Sequence, residues 1–577
     1  MKLATPMKCW PLCLLALAAC KKSSNPVTPV TTDTTTTTTL TPQKDPAIAK
    51  SVGFFLDDWV AKTFTAPLYA TATPPSGSAS VTVHIDYSTV ITKVPKYLFG
   101  NNTNPYMGQL VTEPTLINNI KNLSPNVLRF PGGNISSVYF WNGVIPADVP
   151  ANLYDSNGNA VAASYWLGNN TAGWTLSLDN YYAALQQTNS TGIITVNYSY
   201  ARYGTSAHPD RVAAHLAADW VRYDKGRTKY WEIGNESGGP WQAGWQIDVS
   251  QNKDGQPQII NGALYGTHFK VFADSMRKAA SDVGAQIKIG AQLVGTNPVN
   301  SWNAVDKTWD SGLFASAGDD ADFYIVHDYF TGSDNETAAT ILNTPVTESQ
   351  TVMNWMNTTT TQGGVSLKPI ALTEWNIFAA GSKQMTSFIA GMHATMVLGE
   401  LLKNQFGMAS RWDLANGWNN GDDMGMFNAG DEPDGVSKWN PRPAFYYMYY
   451  FQKYFGDRMV SSSVQGGNGD VLSYASSFSS GEAGVVIVNK GTSSQIVSVN
   501  ITNFAPGTRY YYYTFTGGTD NGEFSGKVYI NGNGPDGANG GPSGYLTLTA
   551  SSSAIQNGIK VSAPPRSVIF LVTDAKK

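Results

Sequence analysis

The sequence predicts an α/β chain: a (β/α)8 TIM barrel with an appended C-terminal antiparallel β-sandwich. Three observations predict it. Between residues 96 and 456, eight short apolar runs alternate with amphipathic stretches, the pattern of strands joined by helical crossovers in a parallel sheet. After residue 456 helical periodicity stops, and short alternating runs appear between Gly, Asn and Ser clusters, the pattern of antiparallel strands. Two of the eight apolar runs end in glutamate, Glu236 and Glu374, at strand ends where such a barrel carries its chemistry.

Taken in order, the chain begins with a candidate export signal at 1–20. Lys2 and Lys8 precede an apolar run too short to span a bilayer. Leu17-Ala18-Ala19-Cys20 resembles a bacterial lipobox, which implies lipidation at Cys20. Residues 21–50, with six threonines from Thr34 to Thr39, cannot bury a core and are expected to form a disordered tether. An exported, membrane-anchored lipoprotein follows as the expectation, facing the periplasm or the cell surface, most naturally on the outer membrane. Cys9 and Cys13 are the other cysteines. Both lie in the signal, so the mature chain has no disulfide. Residues 51–95 form a lead-in whose alternating run 81–86 is expected to pair into the sandwich.

The catalytic barrel is assigned to 96–456. Its strands are expected at 97–101, 126–132, 192–198, 229–234, 286–292, 322–327, 369–373 and 407–414. Helices are expected at 113–123, 178–187, 209–224, 263–283, 346–357, 384–405 and 442–455, with a weaker one near 312–317. In 209–224, Val212, Leu216, Ala217, Trp220 and Val221 share one face. An open doubly wound sheet would need a phosphate-binding glycine loop. Phe130-Pro131-Gly132-Gly133-Asn134 lacks that spacing. The sandwich is assigned to 457–577, with strands expected at 471–475, 483–489, 496–501, 509–515, 544–549 and 567–573.

Composition narrows the function. Net charge is -4 with 14% charged residues, which disfavours a nucleic-acid partner. The 16 Trp and 29 Tyr suit either a large core or stacking on sugar faces. The six His residues show no metal-ligand spacing, Asp422-Asp423 fits no EF-hand, and no nucleophile-elbow motif is present. Two strand-end glutamates, Glu236 next to Asn235 in a run that contains Trp231 and Glu374 followed by Trp375 and Asn376, point to paired-carboxylate glycoside hydrolysis. Glu236, next to neutral Asn235, suits the acid/base, whose proton must be held near neutral pH. Glu374 suits the nucleophile. This mechanism requires no metal or organic cofactor, and its partner is a carbohydrate, an oligosaccharide or polysaccharide.

Three stretches then carry a family resemblance: Leu128–Asn134 running on to Tyr139-Phe140-Trp141-Asn142-Gly143, Trp231-Glu232-Ile233-Gly234-Asn235-Glu236, and Thr373-Glu374-Trp375-Asn376. They resemble glycoside hydrolase clan A, most of all the α-L-arabinofuranosidase family, over about residues 97–460. The resemblance implies that Arg129 lies under the nucleophile and that Asn134 and Asn235 bond sugar hydroxyls. It implies that His327 is the sixth-strand histidine and Tyr329 the phenol that bonds the nucleophile. Trp141, Trp375 and Trp412 are the aromatic candidates for sugar contact, with ordinary packing an equal reading for Trp412. Two departures stand out. Asn104 occupies the place of a sugar-gripping Glu, and Phe378 that of a Trp. They keep in play an endo-glycanase or xylosidase-like enzyme on the same barrel. A non-catalytic surface glycan-binding lipoprotein is the alternative from another class.

Overall fold

The computed structural model describes residues 40–332, 336–378, 380–519 and 524–577. The signal, Cys20 and most of the expected tether lie outside the described residues. Among the described residues no helix is long and apolar enough to cross a membrane.

A closed barrel of eight parallel strands stands at the centre: β1 (Gly100–Asn102), β2 (Val127–Phe130), β3 (Thr191–Val196), β4 (Tyr230–Ile233), β5 (Lys288–Gln292), β6 (Phe323–Asp328), β7 (Ile370–Trp375) and β8 (Met408–Arg411). Around it lie α1 (Pro114–Leu123), α2 (Leu178–Thr188), α3 (Pro209–Asp224), α4 (Gly262–Asp282), α5 (Asp306–Ala317), α6 (Ala338–Gln362), α7 (Phe388–Lys403) and α8 (Pro443–Tyr454). The expected first strand shifts. Tyr97 and Leu98 form a short 3-10 turn instead, because the Tyr97 ring fills the barrel floor and its hydroxyl bonds Asp58. Helix α6 starts eight residues before the expected 346. Pro345 lies inside it rather than before it, and the Thr337 side chain caps the true start by accepting from Thr340 N.

The interior is layered as alternate strands dictate. Val127, Tyr230, Phe323 and Met408 open the even-numbered strands and pack together at the N-terminal floor. Small residues on odd strands make room. A Cβ on Gly290 would lie 2.5 Å from the Phe323 ring. Phe55, from a 3-10 turn at Gly53–Leu56, plugs this floor against Tyr97, Tyr230 and Phe323. Two positions further along the even strands the layer changes character to Arg129, Glu232, Ile325 and Ser410.

The C-terminal domain is one continuous sheet curled on itself so that its halves share a core, Val83, Val485, Val497, Val561 and Leu571 among its members. The lead-in strand Val81–Lys93 sits inside it, between Arg458–Gly466 and Gln495–Thr502. The sheet is not purely antiparallel. The lead-in strand runs parallel to Gln495–Thr502, and Tyr69–Thr71 parallel to Ala550–Ala554. Both exceptions involve segments that enter from the N-terminal side. The expected strand at 544–549 is a turn, with Tyr545 N bonded to Pro542 O and Thr547 N to Gly544 O. Its Tyr545 ring is drawn under Phe445, Tyr446 and Tyr449 of α8. Tyr510 to Tyr513 split between two faces. Tyr510 joins the sandwich core, while Tyr513 packs on Tyr450 and Tyr454 of α8. Residues 41–50, expected within the tether, are held on the sheet. Gln43 donates to Tyr87 O at 2.6 Å, and Asp45 pairs with Arg458 at 2.6 Å and Lys93 at 3.0 Å.

Candidate active site

The site lies at the C-terminal ends of the strands and is built on Arg129. This guanidinium is fully buried and has every nitrogen engaged. Nε meets Glu232 Oε2 at 2.6 Å, Nη1 meets Glu374 Oε1 at 2.7 Å and Asn102 Oδ1 at 3.0 Å, and Nη2 donates to Asn235 Oδ1 at 2.7 Å. A cation in such a place is tolerable only when carboxylates surround it. Glu232, two strands away, is the structural partner, further held by Thr195 Oγ1 of the intervening strand at 2.7 Å. Glu374 is the partner that faces the opening.

Backbone irregularities aim the remaining groups. The register of β6 against β7 shifts between Val326 and His327, so that His327 stands opposite Glu374. Such a bulge re-aims side chains at a strand end. His327 and Tyr329 then share a side, while Asp328 turns away and accepts from Phe330 N at 2.7 Å. The intervening aspartate therefore does not disturb the register: Tyr329 donates to Glu374 Oε2 at 2.7 Å. Past β4, Gly234 has φ +77° and a Cβ there would lie 2.6 Å from Ser237 Oγ. Only glycine fits. Glu236 itself has φ +43°, a left-handed conformation costly for a side chain of its shape. Gln292 clamps this exit, donating to Ile233 O at 2.6 Å and accepting from Ser237 N at 2.8 Å.

Glu236 and Glu374 meet across His327. One ligating atom from each of the three falls within 4.8 Å of the others. His327 Nδ1 lies 2.9 Å from Glu236 Oε1 and 3.7 Å from Glu374 Oε2, and Nε2 lies 3.1 Å from Thr373 Oγ1. Trp241 Nε1 donates to Glu236 Oε2 at 2.6 Å. This grouping could also hold a cation, but its carboxylates already receive Arg129, Tyr329 and Trp241 as donors, against which a metal would compete.

Burial alone would raise the Glu236 carboxyl. The hydrogen bond and charge of His327, with the Trp241 N–H, instead bring it below its ordinary 4.5. Burial likewise opposes a charged His327, yet the Glu374 and Glu236 carboxylates outweigh it and lift the imidazole above its ordinary 6.5. The pair therefore keeps its proton on the imidazole side. A glutamate with a raised pKa of its own, as the sequence suggests, is replaced by a Glu–His pair that holds one proton between them.

The other expected contacts divide. Asn235 is buried, and with its Oδ1 fixed by Arg129 its Nδ2 has no protein partner. It is left free to donate to a ligand. Asn104 is fully buried behind β1, at the start of the turn Pro105–Met107. Asn134 is exposed at the rim and accepts from Gln242 Nε2 at 2.8 Å. Trp412 is half-buried at the end of β8, so close to Gly133 that a Cβ there would lie 2.5 Å from its ring. Trp141 is not brought to the site. It stacks on Trp220 with centroids 6.0 Å apart and donates to Leu216 O at 2.9 Å, fastening the loop after β2 to α3. Trp375 is fully buried and offers no face to a ligand, because strand alternation turns it away when Glu374 faces in.

Glu232, Asn102, Thr373, Trp241 and Gln242 are site residues the sequence reading did not single out. Glu232 could have been found by alternation. It points inward with Tyr230, and an inward glutamate in a barrel needs the one inward arginine, Arg129.

Fold and site together define a class: a (β/α)8 barrel with a two-glutamate centre on strands four and seven and a β-rich domain behind it. The particular likeness is to arabinofuranosidases. Residues 119–332 match the family model described as "Alpha-L-arabinofuranosidase 1 domain". An intracellular exo-α-(1→5)-L-arabinofuranosidase of Bifidobacterium longum is 23% identical over 310 residues, 48% of each chain. The chain thus spans about half the length of that curated relative. Among solved structures, a thermostable family 51 α-L-arabinofuranosidase from Thermotoga petrophila superposes with a TM-score of 0.59 at 18% identity, over 85% of this chain and 100% of that one. A bifunctional glucanase-xylanase from a metagenome library gives 0.55 at 14% identity, over 87% and 100%.

Proposed function

We propose that the chain is a retaining glycoside hydrolase, α-L-arabinofuranosidase-like, acting on an oligosaccharide or polysaccharide. The observation that carries this reading is the convergence of Glu236 and Glu374 on one opening, at the short separation that suits attack by one carboxylate and proton delivery by the other. In the first step Glu374 forms a bond to the anomeric carbon as the glycosidic bond breaks. The leaving oxygen takes the proton held between His327 and Glu236. Arg129 and Tyr329 fix the attacking carboxylate, and the free Asn235 Nδ2 is placed for a sugar hydroxyl. Esterification removes the Glu374 charge that raises His327. The Glu236–His327 pair, one proton lighter, then takes a proton from the water that releases the sugar.

Glu374→Gln is expected to lose roughly 10³-fold or more in turnover while retaining glycan binding, measured by hydrolysis of aryl glycosides and by calorimetry. Wild-type chain that binds glycans but cleaves none in a broad panel would favour a binding protein instead. Endo action on the same barrel is the second reading, supported by Asn104 standing where the family has a charged sugar contact. Export with a lipid on Cys20 is part of the proposal and rests on the lipobox resemblance. Palmitate labelling that persists in Cys20→Ser would exclude it.

A further inference from the structure

The opening beside Glu236 continues into a groove of about 390 Å³ that runs past Trp241, Gly295 and Thr296 to Asp306. Of the two carboxylates only Glu236 lines it. One indole of its lining faces solvent, Trp241 at 50% exposed, and beside Trp241, outside that lining, stands Trp302, 77% exposed. Large flat apolar surfaces left bare in this way mark binding sites more often than chance.

Both indoles are held in place. Trp241 is fixed by its hydrogen bond to Glu236 and lies against backbone at Gly239, where a Cβ would sit 2.5 Å from the ring. Trp302 rides on the turn between β5 and α5. There Asn303 Nδ2 donates to Gly238 O at 2.8 Å and to Asp306 Oδ1 at 2.7 Å, and Ser301 Oγ donates to Asp306 Oδ2 at 2.6 Å. Two separate loops are thus tied together so that two rings stand side by side, centroids 6.2 Å apart and planes 43° apart. Rings so tilted cannot share one flat ligand. Each suits a separate unit of a twisting chain.

Direction follows from the proposed chemistry. Glu236 protonates the leaving oxygen, so a ligand that touches Trp241 lies on the leaving-group side. We infer that Trp241 and Trp302 form a stacking platform for two successive sugar units beyond the scissile bond, so that the substrate's leaving group is itself a carbohydrate chain. This rests on the hydrolase reading and adds to it the residues that hold the leaving-group side.

The test compares each of three trisaccharides, α-(1→5)-linked arabinotriose, β-(1→4)-linked xylotriose and cellotriose, with the 4-nitrophenyl glycoside of the same sugar. For the pair that wild type cleaves, Trp302→Ala should lower kcat/KM on the trisaccharide about tenfold more than on the aryl glycoside, the size of one aromatic contact. Trp302→Phe, which keeps a flat ring, should recover much of that difference. Equal losses on both substrates, or alanine and phenylalanine behaving alike, would overturn the platform while leaving the hydrolase reading intact. Wild type that cleaves no member of any pair would overturn the hydrolase reading, and the platform with it.

Discussion

Among the residues of the site, His327 governs where the acid proton resides. Its imidazole begins at an ordinary 6.5 and is raised by two carboxylates, against burial. Glu236 begins at 4.5 and is lowered by that same imidazole. In the proposed mechanism the protonated pair is the competent form, and it persists until pH rises through the raised value of His327. Replacing His327 with Gln leaves the proton on the carboxyl alone, with burial its main remaining influence. The alkaline limb of kcat/KM should therefore change from that of an imidazole to that of a buried carboxyl, with activity at neutral pH falling about 10²-fold. A pH profile on an aryl glycoside measures this, and an unmoved limb would place the proton elsewhere. Arg129 has a different part. The family resemblance placed it beneath Glu374, where it bonds Oε1, but its second carboxylate, Glu232, was not legible. In sequence Glu232 is one letter in an apolar strand, and only the closing of the barrel sets it 2.6 Å from Arg129 Nε.

The elements show where pattern reading succeeds and where packing overrides it. Strands β4 and β7 were plain as apolar runs ending in polar residues, because both faces of a barrel strand are covered. The first strand was misplaced because Tyr97, Leu98 and Phe99 are apolar for other reasons: Tyr97 closes the barrel floor, while Leu98 and Phe99 join the larger core around it. Trp141 and Trp375 lie beside motif residues in sequence, yet α3 packing and strand alternation turn them from the site. The 3-10 turn at Gly53–Leu56 was not expected at all, since four residues carry no periodicity. Its Phe55 is nonetheless fully buried among Tyr97, Val127, Tyr230 and Phe323. Phe55→Ala should cost about 3–5 kcal/mol in chemical denaturation, with kcat unchanged because the plug lies at the end of the barrel opposite the carboxylates. A loss below about 1 kcal/mol would mean that the floor closes without it.

In the whole molecule, the barrel and the sheet behind it share one body. Helix α8 belongs to the barrel, yet Tyr450 and Tyr454 pack on Tyr513, with Tyr450 also against Phe515 and Phe570 of the sheet. The chain enters through the sheet, at Val81–Lys93, before it forms the barrel. That scaffold holds strands four and seven at fixed distance, and the account depends on the two glutamates acting there as acid/base and nucleophile. An activated 2-deoxy-2-fluoro glycoside of the cleaved sugar, followed by intact-mass and peptide mass spectrometry, tests this directly. One covalent sugar per chain is expected, attached at Glu374, with turnover of the adduct slowed further in Glu236→Ala. An adduct on another residue, or steady hydrolysis with inversion at the anomeric carbon and no adduct, would contradict it.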